Sequence, residues 1–296
     1  MAIFGKGYDN FLGYALSGGG AKGFAHIGSL KVLDKCGLKP DVIAGTSAGS
    51  IVGVLYADGF HPEDIVELFK KREFKEFLEF SISKAGFLKS SRLHDFLKNN
   101  LRAKTFEELK IPLYVIATDW NKARTVAFSN GDNLIDAVVA SCSIPVIFNP
   151  QYIQGDPYVD GGLLKNFPVS VIRKKCRYVI GVNVAAMIPP AEKKSIRTVI
   201  ERTFNLMSNS NTIRDKSLCD ILIEVKGIEK YKMFDLNNMD TISEIGYHQT
   251  VIKMSQKDSW KIVDKCHKHY KRTEQFQQKL ESLKKRIHYS SETNTL

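Results

Sequence analysis

The chain has 296 residues, 43% hydrophobic and 25% charged, the composition of an ordinary soluble globular protein able to hold one large domain with an extension. Lys and Arg outnumber Asp and Glu by 43 to 32, a formal net charge of +11, yet no recognisable nucleic-acid module accompanies the charge, which sets nucleic acid aside. Five dispersed cysteines, Cys36, Cys142, Cys176, Cys219 and Cys266, exclude a disulfide framework and a zinc site with CxxC spacing, and predict buried thiols in a reducing compartment.

In chain order, residues 1–12 carry Lys6 and no apolar run of signal-peptide length. Tyr14-Ala15-Leu16 predicts a short strand running into Ser17-Gly18-Gly19-Gly20-Ala21-Lys22-Gly23 and then a helix. Consecutive glycines let backbone N–H groups converge on one small space, as an oxyanion hole or phosphate cradle requires, and Lys22 adds positive charge beside it. Gly18-x-Gly20-x-x-Gly23 also matches the dinucleotide fingerprint. That reading wants an acidic residue at the far end of the next strand, where Gly45-Thr46-Ser47 stands instead. A Walker loop fails because glycine, not Ser or Thr, follows Lys22.

Asp41-Val42-Ile43-Ala44 reads as a buried strand, and Ser50 to Ala57 as an apolar helix ending near Gly59. Between them Gly45-Thr46-Ser47-Ala48-Gly49 fits a tight strand-to-helix turn that lifts a serine hydroxyl out of the backbone. A helix start favours loss of that hydroxyl's proton. Residues 42–57 are uncharged but only 16 long, short of the roughly 20 that a membrane-spanning helix needs.

A helical insertion is expected over about residues 61–110. Ile65, Leu68, Phe69, Phe74, Phe77, Leu78 and Phe80 recur there at helical spacing beside Lys70, Lys71, Arg72 and Lys75. The stripe suits either packing on the core or docking on an anionic lipid surface. Phe87 to Ser91 is read as a connector at the site mouth. Strands are predicted at Leu113–Asp119, Thr125–Phe128, Tyr178–Val184 and Asp220–Val225, with a helix at Leu134–Ala140. Such alternation predicts an α/β fold, a mostly parallel sheet covered by helices on both faces.

Tyr158-Val159-Asp160-Gly161-Gly162 puts a carboxylate at a strand end, followed by glycines that allow close backbone approach; it is either a turn residue or a base. No histidine competes for that role: His26 lies in the glycine-loop helix, His61 and His94 at polar helix starts, and His248, His267, His269 and His288 in a Lys-rich tail. From Lys253 to His288, 11 Lys/Arg face 4 Asp/Glu. There Val263, Cys266, Tyr270, Phe276, Leu280, Leu283 and Ile287 form one apolar stripe, to be packed on the core, on a second subunit or on a membrane. Ser290 to Leu296 is expected to fray.

The glycine loop, the Gly45–Gly49 elbow and Asp160-Gly161-Gly162 together resemble the patatin-like phospholipases in order and spacing. Ala140-Ser141-Cys142-Ser143-Ile144-Pro145 and Asn166-Phe167-Pro168 add two softer matches, and the similarity runs from about residue 14 to about 185. The resemblance implies a three-layer α/β/α fold, Ser47 as nucleophile, Asp160 as base and no catalytic histidine. It further implies an oxyanion hole from Gly18, Gly19 and Gly20, with no metal or cofactor, and hydrolysis of lipid acyl esters at a reversibly contacted membrane surface. Gly45 and Gly49 would shape the elbow; Gly23, Gly161 and Gly162 would support the motifs. Two departures stand out: the family most often has arginine at Lys22, and many members have aspartate at Ser17. Lysine keeps the charge and loses the planar fork. The expected organisation is a catalytic domain over 14–185, a completing strand region over 186–230 and a basic helical extension over 231–296, in a cytoplasmic protein. A Ser–His–Asp esterase of soluble esters and a silent lipid- or partner-binding protein are the alternatives.

Overall fold

A computed structural model describes residues 8–70, 91–131, 133–187, 196–233, 235 and 237–292; the side chains of 196, 197 and 276–292 are outside the described set. Its centre is an eight-stranded sheet. The strands are β1 (Asn10–Leu16), β2 (Val42–Thr46), β3 (Leu113–Asp119), β4 (Arg124–Phe128), β5 (Gln151–Ile153), β6 (Asp156–Asp160), β7 (Cys176–Asn183) and β8 (Ile221–Glu224). They lie in the order β5-β6-β3-β2-β1-β7-β8, with β4 pairing β3. The pairs β1–β2, β2–β3, β1–β7 and β7–β8 are parallel, and β3–β4, β3–β6 and β5–β6 antiparallel.

The central strands are apolar end to end because helices cover both faces. Residues 12–16 of β1 and all of β2 are buried. On the thicker face lie α1 (Phe24–Lys35), α2 (Ala48–Ala57), α3 (Pro62–Lys70), α4 (Ser91–Asn100) and α5 (Leu134–Ser141). The thinner face closes a smaller cluster of Ala15, Val42, Ala44, Phe167 and Val179 under α6 (Val169–Ile172). The helices α7 (Ile196–Ser210) and α8 (Ile213–Lys216) follow β7. The chain ends in α9 (Met239–Met254) and α10 (Lys257–Glu292).

Of the insertion's stripe, Ile65, Leu68 and Phe69 are buried, with Phe69 edge-on to Phe24 and stacked near Phe96. Lys70 pairs with Glu67 and Asp240. The described part of that stripe therefore packs on the core and leaves no apolar face for lipid; Lys71, Arg72, Phe74, Lys75, Phe77, Leu78, Phe80 and the connector at 87–90 lie outside the described residues. The tail behaves likewise at its start. Val263 and Cys266 are fully buried, and Tyr270 donates its hydroxyl to Lys39 O at 2.8 Å. Of the segment expected to fray, residues 290–292 are helical and 293–296 lie outside the described residues. Among the described residues no helix is long and apolar enough to cross a membrane.

Chain order and sheet order together locate the site. From β1 the chain steps outward to β2 and β3, then returns to place β7 on β1's other side. The loops leaving the carboxyl ends of β1 and β7 diverge at this reversal, the place where open α/β sheets form their ligand crevices.

Candidate active site

Ser47 occupies the single-residue junction between β2 and α2 at φ 50°, ψ −123°, a strained conformation for a residue with a side chain. Three contacts hold it there. The Ser47 N–H donates to Ser141 Oγ at 2.8 Å, Ser141 Oγ donates in turn to Ile116 O at 2.5 Å, and Ser50 Oγ donates to Ser47 O at 2.6 Å. Gly45 is required because a Cβ there would stand 2.6 Å from Gly49 O, and Gly49 packs as tightly under the carbonyl of Leu16. The elbow read from the sequence is thus a real backbone turn, with Ser47 only 8% exposed.

Asp160 ends β6, whose register sets it opposite Ala117 of β3. Ser47 Oγ donates to Asp160 Oδ2 at 2.7 Å, and Gly162 N–H donates to Oδ1 at 2.7 Å. Thr118 Oγ1 donates to the Asp160 carbonyl at 3.1 Å. The carboxyl is fully buried, and burial pushes it up to about 7 against the lowering effects of the Gly162 N–H and the Ser47 hydroxyl. A carboxylate in that range is a far better proton acceptor near neutral pH than a solvated one.

Above this pair lies a narrow cleft, partly open to solvent, lined by Gly18, Gly19, Gly20, Lys22, Asn166 and Phe204 among others. Gly20 takes φ 58°, turning the loop sharply over Met233. Gly18 departs from the expected role: its N–H is consumed by Asn166 O at 3.0 Å. The N–H groups of Gly19 and Gly20 have no partner among the described residues. Gly23 lies against Ala48 at the start of α2. Lys22, only 2% exposed, donates through Nζ to Ala186 O at 3.2 Å. Burial lowers its ammonium to about 8, partly opposed by Glu229. Ser17 ties the start of the loop to the end of β7, its Oγ accepting from Val184 N–H at 2.8 Å.

Two asparagines tie the parts together. Asn166 accepts from the Gly18 N–H through its carbonyl and donates its own N–H to Asn211 Oδ1 at 2.7 Å. Asn211 Nδ2 donates back to Gly162 O at 2.9 Å and Leu163 O at 3.2 Å. Sequence reasoning named Ser141 and Asn166 only as motif neighbours and missed Asn211, which belongs to no motif.

The histidines with described side chains are engaged elsewhere or exposed. His26, fully buried, donates Nε2–H to Ser17 O at 2.8 Å, leaving Nδ1 without a partner; burial lowers its ring to about 4, which keeps it neutral. His94 sits near Asp95 and Asp136, His248 pairs with Glu244, His267 meets Cys36 O and His269 stacks on Phe11. His61 is exposed. Burial holds the Cys142 thiol well above its usual range, so it stays protonated beside the elbow.

Fold and geometry define an α/β protein with a strained serine and a buried aspartate at the carboxyl edge of a mostly parallel sheet, under a glycine loop. A family model described as patatin-like phospholipase matches residues 14–172, more than half of the chain. The chain belongs to the patatin-like phospholipase family. An NTE family protein of Mycobacterium tuberculosis is 34% identical over 160 residues, covering 53% of this chain and 44% of its own. The protein YqhO of Bacillus subtilis is 32% identical over 218 residues, covering 62% of this chain and 75% of its own. The chain thus spans less than half the length of the mycobacterial relative. The crystal structure of VipD from Legionella pneumophila superposes with a TM-score of 0.50 at 16% identity, over 87% of this chain and 67% of VipD, which shows a shared fold.

Proposed function

We propose that this chain is a metal-independent serine acyl hydrolase of lipid esters, of phospholipase A or lysophospholipase type. The observation that carries the proposal is the 2.7 Å hydrogen bond from the strained Ser47 hydroxyl to the buried Asp160 carboxylate. Ser47 Oγ attacks the ester carbonyl carbon as its proton passes to Asp160 Oδ2. The carbonyl oxygen becomes an oxyanion received by the free N–H groups of Gly19 and Gly20, at the positive end of α2. The tetrahedral species collapses, the C–O bond to the alcohol breaks, and Asp160 returns the proton to the leaving oxygen. Water then attacks the acyl-Ser47 carbonyl as Asp160 takes its proton; the bond from Ser47 Oγ to the acyl carbon breaks, Asp160 returns the proton to Ser47 Oγ, and the fatty acid leaves.

Lys22 is assigned to anion contact at the cleft wall, where a single ammonium supplies charge without the two-point grip of a guanidinium. The protein works from the cytoplasm in reversible contact with a membrane surface. A Ser–His–Asp mechanism is disfavoured because His26, the one buried histidine among the described residues, holds its proton on Ser17 O.

The test is fatty-acid release from phosphatidylcholine, lysophosphatidylcholine and triacylglycerol in EDTA, by wild type and Ser47→Ala. Release from at least one lipid that is lost in Ser47→Ala is expected. Release that persists in the variant, or stops with EDTA in the wild type, overturns the reading.

A further inference from the structure

Four separate segments that build the cleft each step outward to a large exposed apolar side chain. Ile144 lines the cleft and Val146, two residues on, is exposed at φ 70°. Asn166 lines it and Leu164 is exposed; Ala186 lines it and Met187 is exposed. On α7, Asn205 and Ser208 face the cleft while Leu206 and Met207 face out.

The outer face of α7 is unusual for a surface helix, which ordinarily turns charge to water. Among its described side chains, at 198–210, the exposed ones are Val199, Thr203, Leu206, Met207 and Ser210, none of them charged. Across residues 144–148, 163–166, 184–187 and 198–214 no acidic side chain is exposed, while Arg214 is. By contrast, the described part of the α3 stripe is spent on the core through Ile65, Leu68 and Phe69.

We propose that this rim, centred on Leu206 and Met207 of α7, is the surface by which the protein seats its cleft on an anionic lipid layer. Apolar side chains at the mouth enter the acyl boundary, and the chain's excess positive charge draws it to anionic headgroups. Charge selects this occupant over a second copy of the chain, which would bring its own net +11 against the first. The geometry also serves the reaction, because an ester carbonyl lying at the acyl boundary would enter the cleft from the side the rim faces. In that respect the inference deepens the acyl-hydrolase reading, but its test does not depend on turnover.

The experiment is co-sedimentation with vesicles of phosphatidylcholine, with and without phosphatidylglycerol, for wild type, Ser47→Ala and the double variant Leu206→Ser/Met207→Ser. Wild type and Ser47→Ala should bind equally and more tightly when phosphatidylglycerol is present. The double variant should lose about tenfold in vesicle affinity and keep wild-type hydrolysis of a water-soluble short-chain ester. Unchanged vesicle affinity in a folded double variant overturns the proposal. So does size-exclusion chromatography in which wild type runs as a dimer and the double variant as a monomer, which would make the rim a subunit interface. Should no lipid or ester be turned over while the rim effect holds, the docking surface stands and the acyl-hydrolase reading falls.

Discussion

The floor of the cleft and its rim follow opposite rules. On the floor, hydrogen bonds account for nearly every polar group: Ser47 is held through Ser141 and Ser50, Asp160 through Gly162 and Thr118, and Gly18 through Asn166. The Gly19 and Gly20 N–H groups are open among the described residues, where a developing negative charge would need them. At the rim, Val146, Leu164, Met187, Leu206 and Met207 are large apolar side chains exposed to solvent. A saturated polar floor holds reacting groups in one geometry, whereas an uncovered apolar rim waits for an apolar phase. On the proposals above, the difference would assign chemistry and lipid recognition to separate sets of residues, which variants can separate.

The largest break comes from the floor. Ser47→Ala should lower kcat/KM for any ester by roughly 10⁴-fold or more while leaving the circular dichroism and melting temperature near wild type. A folded variant with residual activity within tenfold of wild type would count against the nucleophile. Asp160→Asn should cost about 10² to 10⁴-fold, the range of a positioned base, with the fold retained. Near wild-type turnover in Asp160→Asn, with activity lost instead on replacing a histidine, would reassign the base.

A smaller effect is set by pH. Asp160 accepts a proton only as a carboxylate, and burial raises it to about 7, so kcat/KM should rise through that pH and be low in acid. Lys22 loses its charge above about 8, which should bring the rate down again on the alkaline side. Lys22→Gln should lower the maximum and remove the alkaline limb while keeping the acid one. An unchanged alkaline limb in that variant would detach Lys22 from the reaction.

The smallest floor effect should come from Asn211, which touches no reacting atom. Asn211→Leu should slow acylation about tenfold by letting the Gly162 and Asn166 segments shift against each other. The loss should fall on kcat more than KM, and Asn211→Gln should restore part of it. An equal loss of melting temperature and activity in both variants would reduce Asn211 to a structural role.

Much of the floor was legible because close approach and unusual dihedrals force particular residues. Gly45, Gly49, Gly161 and Gly162 punctuate the chain where strands end, and each punctuation marks a site segment. The parallel strands were equally readable as apolar runs: β3 spans Leu113–Asp119 as expected, and β1 merely begins earlier, at Asn10. Three-stranded detail around β3 was not, because β5 is only three residues long and carries no pattern of its own. Which glycine donates was hidden as well, since the acceptor that consumes the Gly18 N–H is the carbonyl of Asn166, 148 residues away. Asn211 was invisible for a related reason: its contact with Asn166 spans 45 residues and depends on how α7 ends. The rim could not be read at all. An amphipathic helix shows an apolar stripe, but only packing tells whether the stripe or its opposite side meets the core, and in α3 and α7 the outcomes differ.

The most direct measurement of the central claim is intact mass after reaction with a fluorophosphonate in EDTA, for wild type and Ser47→Ala. One adduct on wild type, absent from Ser47→Ala, is the predicted result and establishes Ser47 as an activated nucleophile without a metal. A folded wild type that takes no adduct, with or without anionic vesicles, or a Ser47→Ala variant that still takes one, would contradict it.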